Sequence, residues 1–279
     1  MKSRNKTFNI VGFIGLLLLS VLWLVPLVMV LMNSFKSNSS ITTQPFAAPN
    51  SNSFVGVDNY VSSMTRTNFL VSVGWSFFIT VASVLVIILL TSMAAWYIVR
   101  VKAWYTNLLY YLLVFSMIVP FQMVMFTMTF VANRTHLDNP FGIVILYAGF
   151  GAGLSVFIFT GFIRSIPVSL EEAAMIDGAS AWRVFFSVIF PILRPTAITI
   201  AVLNAMWIWN DYLLPNLVIG TSYWTIPIAV QKYMTGSYGF KDMGGFMAML
   251  VVAIIPIIVF YLFGQRHIIK GVAAGAVKG

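Results

Sequence analysis

The sequence predicts an all-α protein that crosses a membrane six times. Three observations lead to this fold class: 60% of the residues are hydrophobic, only 8% are charged, and the apolar residues gather in long runs. Water-soluble domains carry about 25% charged residues, and a helix needs about 20 apolar residues to cross a bilayer. A chain of 279 residues therefore has room for six such helices and the loops that join them.

Each apolar run is long enough to span the hydrocarbon layer. The predicted spans are Ile10 to Met32, Leu70 to Val99, Leu108 to Val131, Phe141 to Ile163, Thr196 to Ile219 and Gly244 to Gly264. The first run follows basic residues as a secretory signal does, but it is too long and lacks a small-residue cleavage site, so we expect it to stay as an anchor. Pro120 and Pro256 lie within spans, where we expect simple kinks rather than a gating hinge.

Basic residues indicate the orientation, because Lys and Arg of short loops stay on the cytoplasmic side. With the N-terminus inside, eleven of the 16 Lys and Arg residues fall on the cytoplasmic side. We therefore expect both termini and the loop from Pro167 to Pro195 to be cytoplasmic. Topology accounts for the net charge of +9, so no nucleic-acid partner is expected. The absence of cysteine excludes disulfides, thiolate chemistry and cysteine metal sites.

The loop from Pro167 to Pro195 is longer than a connection between two spans requires. It predicts two short amphipathic helices hinged at Asp177 and Gly178. Ser169 and Glu172 have the spacing of a capping box, which would begin the first helix, and Gly178 can end that helix. Ser180 can cap the second helix.

An aromatic stripe is predicted along the second helix, formed by Trp182, Phe185, Phe186 and Ile189. Pro191 and Pro195 are expected to end this helix before the fifth span. The residues alone leave two interpretations open. The stripe is either a surface for another protein or an interfacial segment that re-enters the headgroup region.

Within this loop the chain resembles the permease subunits of binding-protein-dependent ABC importers. Their signature is EAA, three residues, Gly, nine residues, an aliphatic residue, one further residue and Leu-Pro. The loop reads Glu172-Ala173-Ala174, MID, Gly178, ASAWRVFFS, Val188, Ile189 and Phe190-Pro191. Val188 stands where Ile is usual and Phe190 where Leu is usual, and both departures are conservative.

Further motif matches extend over almost the whole chain. They make the chain resemble the shorter of the two maltose-type permeases, in the carbohydrate-uptake branch of the family. They are NSFKS at Asn33 to Ser37, VDNY at Val57 to Tyr60, WND at Trp209 to Asp211, and the terminal GAVKG at Gly275 to Gly279. The resemblance implies the ABC transmembrane type-1 importer fold. It also implies a first helix and outer loop at 1–66, a core at 67–265 with its coupling loop at 164–195, and a cytoplasmic tail at 266–279.

The resemblance further implies which residues meet the ATPase. The coupling residues would be Glu171, Glu172, Ala173, Ala174, Asp177, Gly178 and Pro191, with Glu172 pairing with a basic residue of the ATPase. The tail residues Gly275, Ala276, Val277, Lys278 and Gly279 would reach toward the same subunit. The sequence itself has no GxxxxGK[ST] phosphate loop, so we expect no enzymatic activity and no cofactor in this chain, with ATP and Mg²⁺ on the ATPase.

By the same resemblance we expect the protein to lie in the cell inner membrane and to carry a sugar, specifically an oligosaccharide, by alternating access. Its partners would be a second, homologous permease in a heterodimer, two copies of a cytoplasmic ABC ATPase, an extracytoplasmic sugar-binding protein and membrane lipid. No metal site is expected.

A substrate pathway is suggested by the fifth span. Asp211 is the only acid within a predicted span, and a charge at such depth usually faces a cavity or a partner. Trp207, Trp209, Asn210 and Tyr212 beside it make this span a candidate lining. The alternative is a structural hydrogen bond between helices near the outer interface.

Two other classes of function are less consistent with the sequence. An ion-coupled secondary carrier usually has several intramembrane ionisable residues or paired broken helices, whereas Asp211 is alone. A membrane-integral enzyme needs a nucleophile or a metal cluster, and His136 and His267 are predicted to lie on opposite sides of the membrane.

Overall fold

The computed structural model describes residues 6–236 and 242–276, and it describes side chains at 10–236 and 242–262. Over these ranges the chain is helical, which confirms the predicted all-α class. The helices are α1 (Lys6–Asn33), α2 (Asn38–Thr43), α3 (Asp58–Arg66), α4 (Phe69–Arg100), α5 (Trp104–Ser116), α6 (Phe121–Arg134), α7 (Pro140–Ile163), α8 (Ser169–Ile176), α9 (Ala181–Val184), α10 (Phe190–Ile192), α11 (Arg194–Asn210), α12 (Leu213–Val218), α13 (Ile226–Met234) and α14 (Met243–Ala276). A π-helical turn, Phe185–Ile189, joins α9 to α10.

Four helices of the described chain, α1, α4, α7 and α14, are long and apolar enough to cross a bilayer individually. Two bent pairs raise that number to as many as six. In the first pair, α5 and α6 meet at 105°, and in the second the stretch Ala181–Ile192 meets α11 at 74°. Six crossings therefore require that each bent pair counts as one span.

The third predicted span is broken, and the expectation of a simple kink at Pro120 is wrong. Helix α5 ends at Ser116 and α6 begins at Phe121. Pro120 has extended backbone angles, φ −61° and ψ 134°, and its nitrogen has no hydrogen to donate to a helical carbonyl. Pro256 behaves differently, because α14 continues through it.

The fifth predicted span also differs from a single helix. Helix α11 ends at Asn210, and α12 begins at Leu213. The Asp211 carboxylate accepts from the backbone N–H of Leu213 at 2.9 Å and of Leu214 at 3.4 Å. This local bonding competes with helical continuation, as Asp side chains commonly do, and so favours the break.

Contacts group the chain into two units. The larger one comprises residues 70–228 and 256–279, and its core is built from α4, α7, the Pro167 to Pro195 loop and α11. Gly151 of α7 allows these helices to close, since a Cβ there would lie 2.6 Å from Cδ1 of Ile87 and 2.8 Å from Oδ1 of Asn204. The Asn204 amide donates in turn to Ser155 Oγ at 3.3 Å.

The smaller unit comprises residues 1–69 and 229–255, and within it the NSFKS and VDNY motifs meet. Asn59 Nδ2 donates to the carbonyls of Ser34 and Lys36, each at 2.9 Å. Lys36 is 1% exposed, and its ammonium donates to the carbonyls of Gln44 at 2.7 Å and Ala47 at 2.9 Å. The two motifs therefore hold the loop after α1 in one conformation.

Candidate functional site

The loop from Pro167 to Pro195, hereafter the elbow, contains the two predicted short helical segments, hereafter its first and second limbs. Its first limb is α8, which begins at Ser169 as expected. Val168 occupies the N-cap position, and no side chain caps this helix. The carbonyl of Val168 accepts from the N–H groups of Glu171 at 2.9 Å and Glu172 at 3.1 Å. The predicted capping box of Ser169 with Glu172 is therefore wrong, because the first turn extends one residue further back along the chain.

The hinge of the elbow lies at Gly178, as the sequence predicted. Gly178 has φ +83°, a left-handed conformation that L-residues with a Cβ rarely adopt. Its N–H donates to the carbonyl of Met175 and that of Ala179 to Ala174, both at 3.0 Å, which closes the end of α8. The exposed Asp177 is the C-cap residue of that helix.

The second limb begins at Ser180, whose hydroxyl accepts from the N–H of Arg183 at 3.4 Å, so this predicted cap is confirmed. The limb runs to Ile192 through α9, the π-helical turn and α10. Pro191 and Pro195 occupy the first turns of α10 and α11. Leu193 separates the two helices, so the limb ends before the fifth span as expected. The expectation that Pro191 ends the limb is wrong, because Pro191 lies in the first turn of α10, where a missing N–H is tolerated.

The predicted aromatic stripe divides into two pairs that face different surroundings. Phe185 and Ile189 are fully buried in the core of the larger unit. Trp182 is 64% exposed and Phe186 is 46% exposed, and their rings stack with centroids 6.2 Å apart and planes 10° apart. The expectation of a single outward face is wrong because the inner pair fills the chain's own core.

The adjacent glutamates of α8 have different environments, since successive residues of a helix point about 100° apart. Glu171 is 2% exposed. Its Oε1 accepts from Arg100 Nε at 2.8 Å and lies 2.6 Å from Arg100 Nη2, while its Oε2 accepts from Trp96 Nε1 at 2.9 Å. Glu172 is exposed, as is Ala173, and Ala174 is half-buried. One acid is thus bound inside the chain and the other is available outside it.

Arg100 and Trp96 are site residues that the sequence analysis missed. From the sequence, Arg100 was only one of the eleven basic residues that indicate the orientation, and Trp96 was only one residue of a predicted span. A signal was present, because the two residues lie four apart at the end of α4, a spacing that places side chains on one face of a helix. Their shared partner on α8 could not be read from that spacing.

The outer face of the elbow is apolar around Glu172. Ile176 is 85% exposed, and Met175 is also exposed. Together with the Trp182 and Phe186 stack, these side chains give a loop outside the long helices a surface that water solvates poorly. Pro191 is exposed as well.

The candidate lining of the fifth span divides in a similar way. Tyr147, which is fully buried, donates from its hydroxyl to Asp211 Oδ2 at 3.0 Å, and the Trp207 ring meets Tyr147 edge-on at 5.5 Å. Trp209 is buried with its ring 6.1 Å from that of Phe260. Trp207, Asn210 and Tyr212 are exposed. Asp211 is therefore engaged in hydrogen bonds within the chain.

Two of the five tail residues that the resemblance singles out lie within the described chain. Gly275 and Ala276 are the last residues of α14, whereas Val277, Lys278 and Gly279 lie outside the described residues. Among the side chains that are described, no group of three or more His, Asp or Glu residues is placed to hold a metal ion.

The profile of one protein family, described as "Binding-protein-dependent transport system inner membrane component", matches residues 87–274 of the chain. That range includes the whole elbow. The chain belongs to this family. The resemblance stated from the elbow motif is confirmed, and the chain is a multi-pass component of an inner-membrane transport system.

Full-length relatives agree with the family assignment. The chain is 38% identical over 279 residues to the probable starch degradation products transport system permease protein AmyC of Thermoanaerobacterium thermosulfurigenes, with 100% of both chains covered. It is 37% identical over 289 residues to the multiple sugar-binding transport system permease protein MsmG of Streptococcus mutans, again with 100% of both covered. These relatives are named permease proteins, and the chain is a permease subunit rather than an enzyme.

A solved structure supports the fold independently. A chain of a bacterial ABC transporter involved in the import of the acidic polysaccharide alginate superposes with a TM-score of 0.78 at 22% identity, covering 95% of this chain and 99% of that one. Similarity at this identity shows the fold alone, and it confirms the expected type-1 importer fold.

Proposed function

We propose that this chain is one permease subunit of an ATP-driven importer that carries an oligosaccharide into the cytoplasm by alternating access. The names of its relatives support a carbohydrate cargo, since they refer to starch degradation products and to multiple sugars. Arabinooligosaccharides appear in the name of a further relative that is 26% identical over 281 residues. A cargo of several sugar units is stated in the name of that relative.

The two-faced elbow is the observation that carries the proposal. Its inner residues, Phe185, Ile189 and Glu171, are buried within the chain, while Ile176 and Trp182 remain exposed on the outside. An exposed apolar surface of this kind needs a partner. A cleft in a cytoplasmic ATPase would cover it, and the exposed Glu172 would pair there with a basic residue.

The assembly that follows has four kinds of subunit. A second, homologous permease forms a heterodimer with this chain, two copies of a cytoplasmic ABC ATPase bind ATP and Mg²⁺, and an extracytoplasmic protein delivers the sugar. No cofactor is bound by this chain. Both termini and the elbow are cytoplasmic in this proposal, and the tail from Gly275 to Gly279 extends toward the ATPase.

Movement of the elbow drives the cycle in this proposal. Closure of the ATPase dimer on nucleotide displaces the docked limbs, and the packed core transmits that displacement to the spans, as in other rigid-body transitions. The exposed Trp207, Asn210 and Tyr212 are the candidate sugar contacts, since aromatic faces and a few polar groups suffice for a sugar site. Asp211 supports Trp207 through Tyr147, which bonds the carboxylate and meets the Trp207 ring.

A reconstitution experiment separates this importer from an ion-coupled carrier. The comparison is needed because the helix breaks at Pro120 and Asp211 are features that carriers also use. The chain is placed in liposomes either alone, with proton or sodium gradients, or together with its partner permease, ATPase and binding protein. We expect uptake of labelled oligosaccharide only by the complete complex, and only with ATP inside and binding protein outside. Gradient-driven uptake by the chain alone would overturn the proposal.

A further inference from the structure

We propose that Glu171 is a positioning residue that fastens the first limb of the elbow to the C-terminal end of α4, where Trp96 also packs on the second limb, so that the elbow and α4 move as one body. This inference rests on the proposed function, because it states how a force applied to the elbow reaches a spanning helix. The contacts involved are named the clasp and consist of Trp96, Arg100, Glu171 and Phe185.

The carboxylate of Glu171 is satisfied from one face of α4. Trp96 and Arg100 lie one helical turn apart, a spacing that brings side chains to the same side. Trp96 Nε1 donates a hydrogen bond to Oε2 at 2.9 Å, and Arg100 Nε donates one to Oε1 at 2.8 Å. Hydrogen bonds between charged groups are about twice as strong as neutral ones, so α8 has a directional attachment to α4.

The same two residues of α4 also reach the rest of the elbow. Arg100 Nη2 donates to the carbonyl of Ile166 at 3.1 Å, just before the elbow begins. The Trp96 ring lies with its centroid 5.5 Å from that of Phe185, which belongs to the π-helical turn of the second limb. The end of α4 therefore contacts the entry to the elbow, its first limb and its second limb.

Burial explains why this attachment acts on position more than on stability. The Glu171 side chain is 3% exposed and that of Arg100 is 17% exposed. A buried ion pair often adds little net stability, since desolvation offsets much of the attraction, but it tolerates few alternative geometries. A pair with these properties fixes the register between α8 and α4 while Glu172, the next residue, faces outward.

The clasp connects the elbow to α4, a helix that does not adjoin the elbow along the chain. The elbow is covalently continuous with α7 and α11 only. Without the clasp, a displaced elbow could slide over α4 and leave that helix behind. With the clasp, the same displacement carries α4 along.

The test measures sugar imported per ATP hydrolysed in liposomes that contain the complete complex. The variants are Glu171→Gln and Arg100→Gln, which each remove one charge, and Trp96→Phe, which removes the N–H donor but keeps a ring against Phe185. Lys102→Gln and Trp104→Phe are matched controls, because both side chains are exposed and neither belongs to the clasp. The complexes are purified with both permeases and the ATPase before reconstitution, because a misassembled fraction that hydrolyses ATP without import would also lower this ratio.

We expect the ratio to fall roughly tenfold in Glu171→Gln and Arg100→Gln, within the range of coupling changes between linked sites, while the ATPase still co-purifies. The charge-reversed double variant Arg100→Glu with Glu171→Arg restores the pair, and we expect it to recover part of the ratio. Both controls should match the wild type.

An unchanged ratio in Glu171→Gln would overturn the clasp and leave the proposed function intact, because the wild-type complex would still import. Failure of the wild-type complex to import with ATP would instead refute the proposed function. Should Glu171→Gln not assemble, Trp96→Phe decides: a ratio at least roughly twofold lower supports the clasp, and a wild-type ratio overturns it.

Discussion

The hydroxyl of Tyr147 donates a hydrogen bond to Oδ2 of Asp211 at 3.0 Å, and it links α7 to the break between α11 and α12. The other carboxylate oxygen of Asp211 accepts from Leu213 N at 2.9 Å. Both oxygens are thus used inside the chain. The acid of the WND motif holds a helix break and a neighbouring helix in place.

Replacing Asp211 tests whether this role is structural. Asp211→Ala leaves the buried Tyr147 hydroxyl without its acceptor, a loss that costs about 1–3 kcal/mol, so we expect less assembled complex with unchanged sugar preference. Asp211→Asn has a single acceptor oxygen, which can keep the Leu213 bond, while its amide N–H can donate to the oxygen of the Tyr147 hydroxyl, so it should assemble better than Asp211→Ala. The measurements are the yield of complex and competition among sugars for uptake. Normal yield with an altered sugar preference would instead place Asp211 in the substrate pathway.

The hinge at Gly178 gives a second prediction. A Cβ at this position would meet no atom within 4 Å, but φ is +83°, so the cost of a side chain is backbone strain of about 1–2 kcal/mol. We expect Gly178→Val to lower sugar imported per ATP. Gly178→Asn is the control, because Asn tolerates the left-handed region. Equal ratios in the two variants would show that the hinge conformation is unimportant for coupling.

Glu172 gives a third prediction, which concerns docking. Because its side chain is exposed, Glu172→Lys should leave membrane insertion intact but place a positive charge against the basic partner expected on the ATPase. We expect ATPase recovery in pull-downs to fall by roughly tenfold. Asp138→Lys, the same charge change at another exposed site, should have no effect. Undiminished recovery with Glu172→Lys would exclude the expected ion pair.

Lys36 gives a fourth prediction, in the loop that follows α1. Lys36→Met removes the ammonium that bonds the carbonyls of Gln44 and Ala47. The Gln44 carbonyl still accepts from the N–H of Ala47 at 3.2 Å, but the Ala47 carbonyl loses its Lys36 donor, at a cost of about 1–3 kcal/mol. We expect faster proteolysis of residues 37–57 in the variant. Lys102→Met, at an exposed position, is the control. Cleavage at the wild-type rate would mean that these bonds do not order the loop.

Local sequence signals predicted the parts of the elbow that depend on single residues. Gly178 and Ser180 behave as expected because a positive φ and an N-cap are properties of one residue and its near neighbours. The apolar runs likewise predicted α1, α4, α7 and α14, since length and hydropathy alone decide a long spanning helix.

Contacts between segments that are far apart along the chain could not be predicted from the sequence. Nothing local distinguishes Glu171 from Glu172, and only the approach of Arg100, 71 positions earlier, places one inside and the other outside. The inward turn of Phe185 has the same origin, because the core of α4 and α7 accepts it. Pro120 was correctly seen as a perturbation, but the 105° angle between α5 and α6 depends on how the two helices pack.

The central claim is that a cytoplasmic ATPase covers the elbow, and labelling of Ile176→Cys tests it most directly. The native chain contains no cysteine, so a membrane-impermeant maleimide reports on this position alone. Phe46→Cys in the loop after α1 is the reference, because the proposed topology assigns that loop to the outer side. We predict labelling of Ile176→Cys only in inverted vesicles, and protection when the ATPase is bound. Labelling from the outer side, or equal labelling with and without the ATPase, would contradict the account.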